Sequence, residues 1–352
     1  MIKRRTLLTS GVLLLTVAVS IPLYVNAQQR LPVVATFSIL GDMVKRIGGN
    51  AVAVTTLVGR NGDTHVYQPT PADARAVKEA SVLFTNGLGF EGWLDRLAEA
   101  AEFDGELVVT TNGIDVISLG DHDGEDHHVD EHAEEQDKHD EKAHESDEHD
   151  EEEHEEEHDE EHEEGGHEGE HHHGEFDPHG WQSLQNARVY VDNITTALAK
   201  ASPSDASTFY ENRASYMAEI DLLDKKIKDV IVVLPQSART IVTSHDAFQY
   251  FGRDYGLRFI APQGLSTESE ASAQDVAQLI TQIRAEGTSA VFVENVADPR
   301  LIQQIATETG SVVGGKLFPG ALSSEDGPAP TYLDLMTYNA LTIATALTDS
   351  KK

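Results

Sequence analysis

The chain has 352 residues, no cysteine, and a formal net charge of −35 at pH 7 from 61 acidic and 26 basic residues. The lack of cysteine excludes disulfides, thiolate metal sites and lipid attachment at a cysteine within this sequence. Nucleic acid is not expected as a partner, because this charge balance leaves no basic patch to release counterions from phosphate.

Residues 1–27 are typical of an export signal. Basic residues at 3–5 precede a largely apolar run over 7–25, and Val25-Asn26-Ala27 offers small residues for cleavage before Gln28. A permanent transmembrane anchor is the alternative, because the apolar run approaches spanning length. The sequence favours a cleaved signal peptide and a periplasmic protein without a lipid anchor, exported by the general or the twin-arginine route.

The chain after Leu31 alternates short β-branched runs with helical segments, which predicts an α/β fold with mainly parallel strands. In the first part, the pattern predicts strands over 32–37, 51–58, 81–85 and 106–110, and helices over 39–47, 70–80 and 92–101. Thr70-Pro71 opens the second of these helices, because proline suits the first helical turn.

The tract from Asp121 to Glu175 carries 14 of the 17 histidines among 29 acidic residues and two lysines, and so holds −27 of the net charge. Imidazole is a common ligand of zinc, copper and nickel, and carboxylates raise the local cation concentration. Such a polar tract cannot bury a core, so we expect a disordered loop that holds several metal ions weakly. The alternative is an acidic linker whose histidines are incidental.

The chain beyond the tract has one long helical segment and a second alternating set. A helix over 182–200 precedes the long helix over 202–230, whose spacing predicts one buried face formed by Tyr210, Tyr216, Ile220, Leu223 and Ile227. The second set has predicted strands over 240–243, 257–260 and 290–293, and predicted helices over 247–255, 271–285, 299–309 and 330–347.

The predicted architecture is two α/β lobes with mainly parallel sheets, joined by one long rigid helix. The predicted units are the signal peptide (1–27), an N-terminal lobe (28–201) that includes the histidine- and acid-rich loop (121–175), the linking helix (202–231) and a C-terminal lobe (232–352). About 270 residues remain without the signal and the tract, enough for two modest domains, each with its own apolar core.

The three histidines outside the tract occur in comparable contexts. His65 follows a strand, His179 precedes a helix, and His245 stands between a strand and a helix. Ligands of open α/β sheets bind at the carboxyl ends of strands, so a shared site is expected. Three imidazoles leave a fourth position for an oxygen ligand or water, which suits tetrahedral zinc.

At these histidines the chain resembles the metal-specific substrate-binding proteins of cluster A-I ABC importers, especially their zinc-binding branch. The motifs that carry the resemblance are His65-Val66-Tyr67-Gln68-Pro69-Thr70-Pro71-Ala72-Asp73, Asp177-Pro178-His179-Gly180-Trp181, Ser244-His245-Asp246-Ala247-Phe248, Gly264-Leu265-Ser266-Thr267-Glu268 and Asp326-Gly327-Pro328-Ala329-Pro330-Thr331-Tyr332-Leu333-Asp334. The resemblance implies two lobes bridged by a long helix, with the metal in the cleft between them. It also implies a histidine- and acid-rich loop between the first two ligand histidines, where the tract lies.

The resemblance implies that His65, His179 and His245 are the metal ligands. A histidine at the third position suits zinc, whereas the manganese and iron branch usually has glutamate there, and nitrogen-rich sites also favour zinc over manganese. The chain departs from the family in the stretch 316–322, where Gly320 stands in place of an aspartate ligand.

The fourth ligand position therefore stays open at this point. Water, a carboxylate of Glu325 or Asp326, or a residue of the tract are the candidates.

The leading hypothesis is a monomeric periplasmic receptor that binds Zn²⁺ with high affinity and delivers it, as the transported ligand, to an inner-membrane ABC permease with a cytoplasmic ATPase. A periplasmic zinc chaperone is a further candidate partner. The sequence contains no Gly-x-x-x-x-Gly-Lys-Ser/Thr loop, so the ATPase is expected to be another chain.

Three alternative functions remain, namely a periplasmic zinc buffer or chaperone, a manganese-binding receptor and a zinc hydrolase. A hydrolase needs a positioned general base. Asp246 and Glu294 have the right chemistry, but Asp246 is expected to cap the following helix and Glu294 to face solvent at a strand end. The protein is therefore not expected to be an enzyme.

Overall fold

The computed structural model describes residues 30–119, 176–236, 239–286 and 290–349. The predicted signal peptide and the tract over 121–175 lie outside the described residues. Among the described residues, no helix combines the length and the apolar character that crossing a bilayer requires.

The first lobe is built on a four-stranded parallel sheet of order β2-β1-β3-β4. Its strands are β1 (Leu31–Phe37), β2 (Val52–Val58), β3 (Val82–Thr85) and β4 (Glu106–Val109), and its helices are α1 (Ser38–Gly48), α2 (Pro71–Glu79) and α3 (Leu94–Ala100). Helix α2 begins as predicted, with Pro71 in its first turn and a reciprocal capping box between Thr70 and Asp73. The loop between β2 and α2 thereby has a fixed end close to His65.

The second lobe repeats this plan with a parallel sheet of order β6-β5-β7-β8. Its strands are β5 (Thr240–Val242), β6 (Arg258–Ile260), β7 (Ala290–Glu294) and β8 (Val312–Leu317), and its helices are α6 (Gln249–Tyr255), α7 (Ala273–Glu286), α8 (Arg300–Thr309) and α9 (Tyr332–Asp349). Strand β8 was not predicted, because Gly314 and Gly315 weaken its β pattern. Gly314 is needed there, since a Cβ atom would lie 2.6 Å from the Cβ of Ala346.

The long helix α5 (Ala206–Ile231) follows α4 (Leu184–Ala201) and packs against α1, α4 and α9. It begins four residues later than predicted, at Ala206. The predicted burial of Tyr210 is wrong, because that side chain is 51% exposed, and Phe209 is buried instead. Position 209 lies seven residues, or about two helical turns, before Tyr216. The buried face of the helix therefore passes through Phe209.

The main hydrophobic core crosses the lobe boundary. One continuous cluster includes Phe37 and Trp181 of the first lobe, Tyr216 of α5, and Phe251 and Tyr332 of the second lobe. A smaller cluster lies within the second lobe between its sheet and α7 and α8. The larger cluster therefore contradicts the expectation that each lobe has a separate apolar core, because residues of both lobes build it. This shared core holds the two lobes together and fixes the loops that face each other between them.

Candidate metal site between the lobes

The structure brings the three predicted histidines together. His65 lies in the loop between β2 and α2, His179 lies just before a short 3-10 turn that leads into α4, and His245 follows β5. One ring nitrogen of each lies within 4.8 Å of those of the other two. The ring centroids are 5.4 to 5.8 Å apart. Three ring nitrogens therefore converge on one point between the two sheets.

The His179 ring is held by a carboxylate two residues earlier in the chain. Its Nδ1 lies 2.8 Å from Oδ1 of Asp177, and the same oxygen accepts the His179 backbone N–H at 2.9 Å. Because an ionised carboxylate can only accept a hydrogen bond, Nδ1 carries the ring hydrogen, and the geometry assigns the free lone pair to Nε2. This Nε2 is buried and has no hydrogen-bond partner in the described part of the chain. It is thus oriented to coordinate an ion.

The His245 ring is held in the same way by Glu294. Nδ1 lies 2.5 Å from Oε2 of Glu294, whose Oε1 accepts the backbone N–H groups of Ser244 at 2.9 Å and His245 at 3.2 Å. The prediction that Glu294 faces solvent is wrong, because this side chain is buried. Strand β7 pairs with β5, and this pairing places the end of β7 beside the segment that carries His245.

Asp246 does not cap the next helix, which corrects the sequence-based expectation. Helix α6 begins only at Gln249, and Phe248 is its N-cap residue. The Asp246 carboxylate instead accepts the side-chain amide of Gln249 at 2.5 Å.

The His65 ring is held differently from the other two. It is half-buried, and it packs edge-to-face on Phe90 with ring centroids 4.9 Å apart. Its backbone N–H donates to Oδ1 of Asp63 at 3.0 Å, and Oδ2 of Asp63 accepts the hydroxyl of Thr267 at 2.6 Å. Thr267 belongs to the second lobe, so this contact joins the two lobes next to His65. Within the described residues, no carboxylate accepts a hydrogen bond from the His65 ring.

Burial and charge set the protonation of the three rings. Burial, with a smaller contribution from His179 and His245, lowers the pKa of His65 to about 2. Burial also holds the pKa of His179 well below its ordinary value. For His245, burial opposes the charged form, but the charge and hydrogen bond of Glu294 outweigh it and raise the pKa. Neutral imidazole is the form that binds metal, so His65 and His179 have free lone pairs at neutral pH.

A small cavity of about 10 Å³ lies where the three rings converge, with room for roughly one water-sized body. It is lined by Gly62, Asp63, Thr64, His65, Phe90, His179, His245, Val296 and Gly320. Gly320 thus faces the histidines. A Cβ atom there would meet Trp181 at 3.7 Å and Phe90 at 3.9 Å, which are ordinary contacts.

The candidates for a fourth ligand differ in whether they line the cavity between the histidines. Glu325 and Asp326 are exposed and do not line this cavity. Asp63 does line it, and the sequence reasoning missed that residue. The tract lies outside the described residues.

A larger cavity of about 770 Å³ adjoins the small one at the residues that line both. Its walls come from both lobes and include Tyr67, Trp93, Phe176, Leu265 and Glu268. His65 and Phe90 line both cavities. The three rings can together hold one divalent ion on three nitrogens.

Comparison with protein families gives a match over most of the chain. A family model described as "ZnuA: Zinc-uptake complex component A periplasmic" matches residues 33–346. The manganese-binding lipoprotein MntA of Halalkalibacterium halodurans is 27% identical over 317 residues, which cover 90% of this chain and 88% of that protein. The iron-binding protein YfeA of Yersinia pestis is also 27% identical, over 91% of this chain and 87% of that protein.

Two solved structures of metal-binding proteins have a fold similar to that of this chain. The periplasmic zinc-binding protein TroA of Treponema pallidum aligns with a TM-score of 0.72 at 25% identity, covering 91% of this chain and 99% of that one. A manganese-bound periplasmic metal-binding protein of Candidatus Liberibacter asiaticus aligns with a TM-score of 0.69 at 27% identity, covering 90% of this chain and 98% of that one.

Proposed function

Because the chain belongs to the family of periplasmic zinc-uptake component A proteins, whose model matches residues 33–346, we propose that the ion it carries is Zn²⁺. Proteins of this family are metal-binding receptors of ABC importers that act outside the cytoplasm, and they are not enzymes. This chain accordingly binds a transition metal ion and serves a membrane permease and its ATPase. The identity of the ion is the part that we propose.

The observation that carries the proposal is the set of donor atoms. His65, His179 and His245 converge through ring nitrogens, and no carboxylate oxygen of a described residue joins them in the cluster. Imidazole suits zinc, whereas manganese favours carboxylate, carbonyl and water oxygens. Zinc also accepts four ligands in a tetrahedron, so a water molecule suffices beside three imidazoles.

The rival function is a manganese or iron receptor. It is favoured by the names of relatives such as manganese-binding MntA and iron-binding YfeA. Gly320 weighs against it in this chain, because it faces the histidines and brings no side-chain oxygen. A side chain would have room there.

Competition between Zn²⁺ and Mn²⁺ for the purified protein, in the presence of a chelator, tests the proposal. We expect zinc to displace manganese at equal concentration. We expect Gly320→Asp to raise the affinity for manganese relative to zinc by about tenfold, because a carboxylate suits the harder ion. Gly59→Asp is the matched control, since Gly59 is exposed, has no neighbour that a Cβ atom would meet, and lies outside the histidine cavity. A wild-type protein that prefers manganese would overturn the zinc assignment.

We further propose that the tract over 121–175 raises zinc capture. Its 14 histidines among 29 acids support this role by composition alone. Ser118 and Phe176 pair as an antiparallel bridge, so a short glycine linker can replace the tract without moving the flanking chain. Calorimetric titration of this deletion should show the stoichiometry falling from several ions to one, with the tight site nearly unchanged. A deletion variant that still binds several ions would place the extra sites elsewhere.

We also propose how the protein is retained outside the cytoplasm and which partners it has. MntA is named as a lipoprotein, whereas the present sequence has no cysteine for a lipid. We propose cleavage before Gln28 and a soluble monomer in the periplasm, with a zinc chaperone as a further partner. Osmotic-shock fractionation should release the protein, and the mass of its N-terminal peptide should place the cleavage site. Copurification with the permease separates a transport receptor from a zinc buffer.

A further inference from the structure

A buried tyrosine of the second lobe holds the chain just before His179. Residues 117 and 118 pair with residues 176 and 177 through the Ser118–Phe176 bridge and a 2.9 Å bond from the Asp177 N–H to the Ile117 carbonyl. Tyr250 of helix α6 reaches this pair of segments. Its hydroxyl donates to the Asp177 carbonyl at 2.8 Å and accepts the Ile117 N–H at 3.2 Å. One hydroxyl therefore joins both segments to the second lobe.

The segment that Tyr250 holds is the one that orients His179. Asp177 carries the carboxylate that bonds the His179 ring, and its own carbonyl is the acceptor for Tyr250. The next carbonyl, of Pro178, accepts the side-chain amide of Asn86 at 2.8 Å. Asn86 belongs to the first lobe and Tyr250 to the second. The position of His179 thus depends on hydrogen bonds from both lobes.

A second contact from α6 reaches the segment that pairs with residues 176 and 177. The Arg253 guanidinium donates to the carbonyl of Asp115 at 3.0 Å and lies 5.1 Å from the centre of the Tyr250 ring. Helix α6 begins four residues after His245. The helix that follows one of the three histidines therefore also holds the segment that carries another.

We propose that Tyr250 is a positioning residue for the metal site. Its hydroxyl fixes Asp177, and through Asp177 the His179 ring, in the geometry that binds the ion while the two lobes are in contact. Loss of this hydroxyl lets Asp177 and His179 move away from the metal, so the ion binds less tightly and leaves faster. The inference rests on the proposed role of His179 as a metal ligand and applies to whichever divalent ion the site holds.

Tyr255 provides a matched control on the same helix. It is buried as well, and its hydroxyl donates to Oδ1 of Asp224 at 3.1 Å. Asp224 lies on α5 and also accepts from Gln185 and Lys228, away from the histidines. Tyr255→Phe therefore removes a comparable buried hydrogen bond without touching the segment before His179.

The test compares full-length wild-type, Tyr250→Phe and Tyr255→Phe proteins. Zinc and manganese affinities are measured by chelator competition, ion dissociation by stopped flow, and metal-free stability by thermal unfolding. Removing a direct partner of a ligand typically costs 10–100-fold in metal affinity. Tyr250 is one bond further out, so we expect a loss of about 3–10-fold with faster dissociation. The control should lose stability without losing affinity.

A double-mutant cycle separates a positioning role from a general loss of stability. The effects of Tyr250→Phe and Asp177→Asn on affinity should be less than additive, because both act on the same ring. Unchanged affinity in Tyr250→Phe, equal losses in both tyrosine variants, or additive effects in the cycle would each overturn the proposal. If the wild type prefers manganese, the zinc assignment fails, and the tyrosine comparison is then decided with manganese.

Discussion

His179 and His245 differ from His65 in how their rings are held. The first two are buried, and each bonds a carboxylate through Nδ1, from Asp177 and Glu294 respectively. His65 is half-buried, packs on Phe90, and is tied through its backbone to Asp63. Carboxylate partners fix the tautomer of a ligand histidine and raise its basicity. Two of the three rings are therefore oriented before the ion arrives.

His179 and His245 are also more deeply buried than His65, and we call them the deep pair. We expect the deep pair to be a prepared half-site, because both rings have a carboxylate partner. His65 depends instead on its packing and on the contact between Asp63 and Thr267, which joins its loop to the other lobe.

The largest expected effect comes from losing a ring of the deep pair. His179→Ala should lower zinc affinity more than His65→Ala does, and both should lose more than the 10–100-fold that a carboxylate partner contributes. Zinc protection against thermal unfolding should shrink in parallel, because a ligand stabilises only the state that binds it. Equal losses in the two variants, measured by chelator competition, would remove the distinction between the deep pair and His65.

An intermediate effect is expected from the carboxylates. Glu294→Gln keeps the size of the side chain and removes the charge that favours the Nδ1–H donor of His245. Zinc affinity should fall by about 10–100-fold. Glu268→Gln is the control, because Glu268 is an exposed carboxylate of the larger cavity. If both glutamine variants lose the same affinity, the effect of Glu294 is one of general charge rather than of ring orientation.

The smallest expected effect comes from the contact between the lobes at His65. Thr267→Val keeps the side-chain shape and removes the hydroxyl that bonds Asp63. One hydrogen bond contributes about 1 kcal/mol, so zinc should dissociate about fivefold faster, with the association rate little changed. Stopped-flow release into excess chelator measures this rate. An unchanged dissociation rate would show that this contact does not hold His65 over the ion.

Much of the fold could be predicted from periodicity, because most strands and helices carry a clear apolar pattern. Strand β8 was missed because Gly314 and Gly315 break that pattern, although the packing of Gly314 against Ala346 requires a residue without a side chain. The helical spacing predicts Tyr210 on the buried face, whereas the neighbouring Phe209 is the residue that is buried. A shift of one residue along a helix turns a side chain by about 100°, which suffices to expose it.

The three histidines could be predicted as one site, but their partners could not all be found. Glu294 is 49 residues from His245, and only the order of the strands brings them together. The sequence does carry a signal for the other partners. Asp-x-His occurs at Asp63-Thr64-His65 and again at Asp177-Pro178-His179, and in both cases the aspartate accepts the backbone N–H of the histidine.

The central claim is that zinc is held by these three imidazoles, and diffraction from crystals of the zinc-loaded protein at the zinc absorption edge tests it most directly. We expect one strong anomalous peak between the two lobes, with ring nitrogens of His65, His179 and His245 at about 2.0–2.1 Å. A peak away from these rings, or an ion at this point coordinated mainly by oxygen atoms, would contradict the claim.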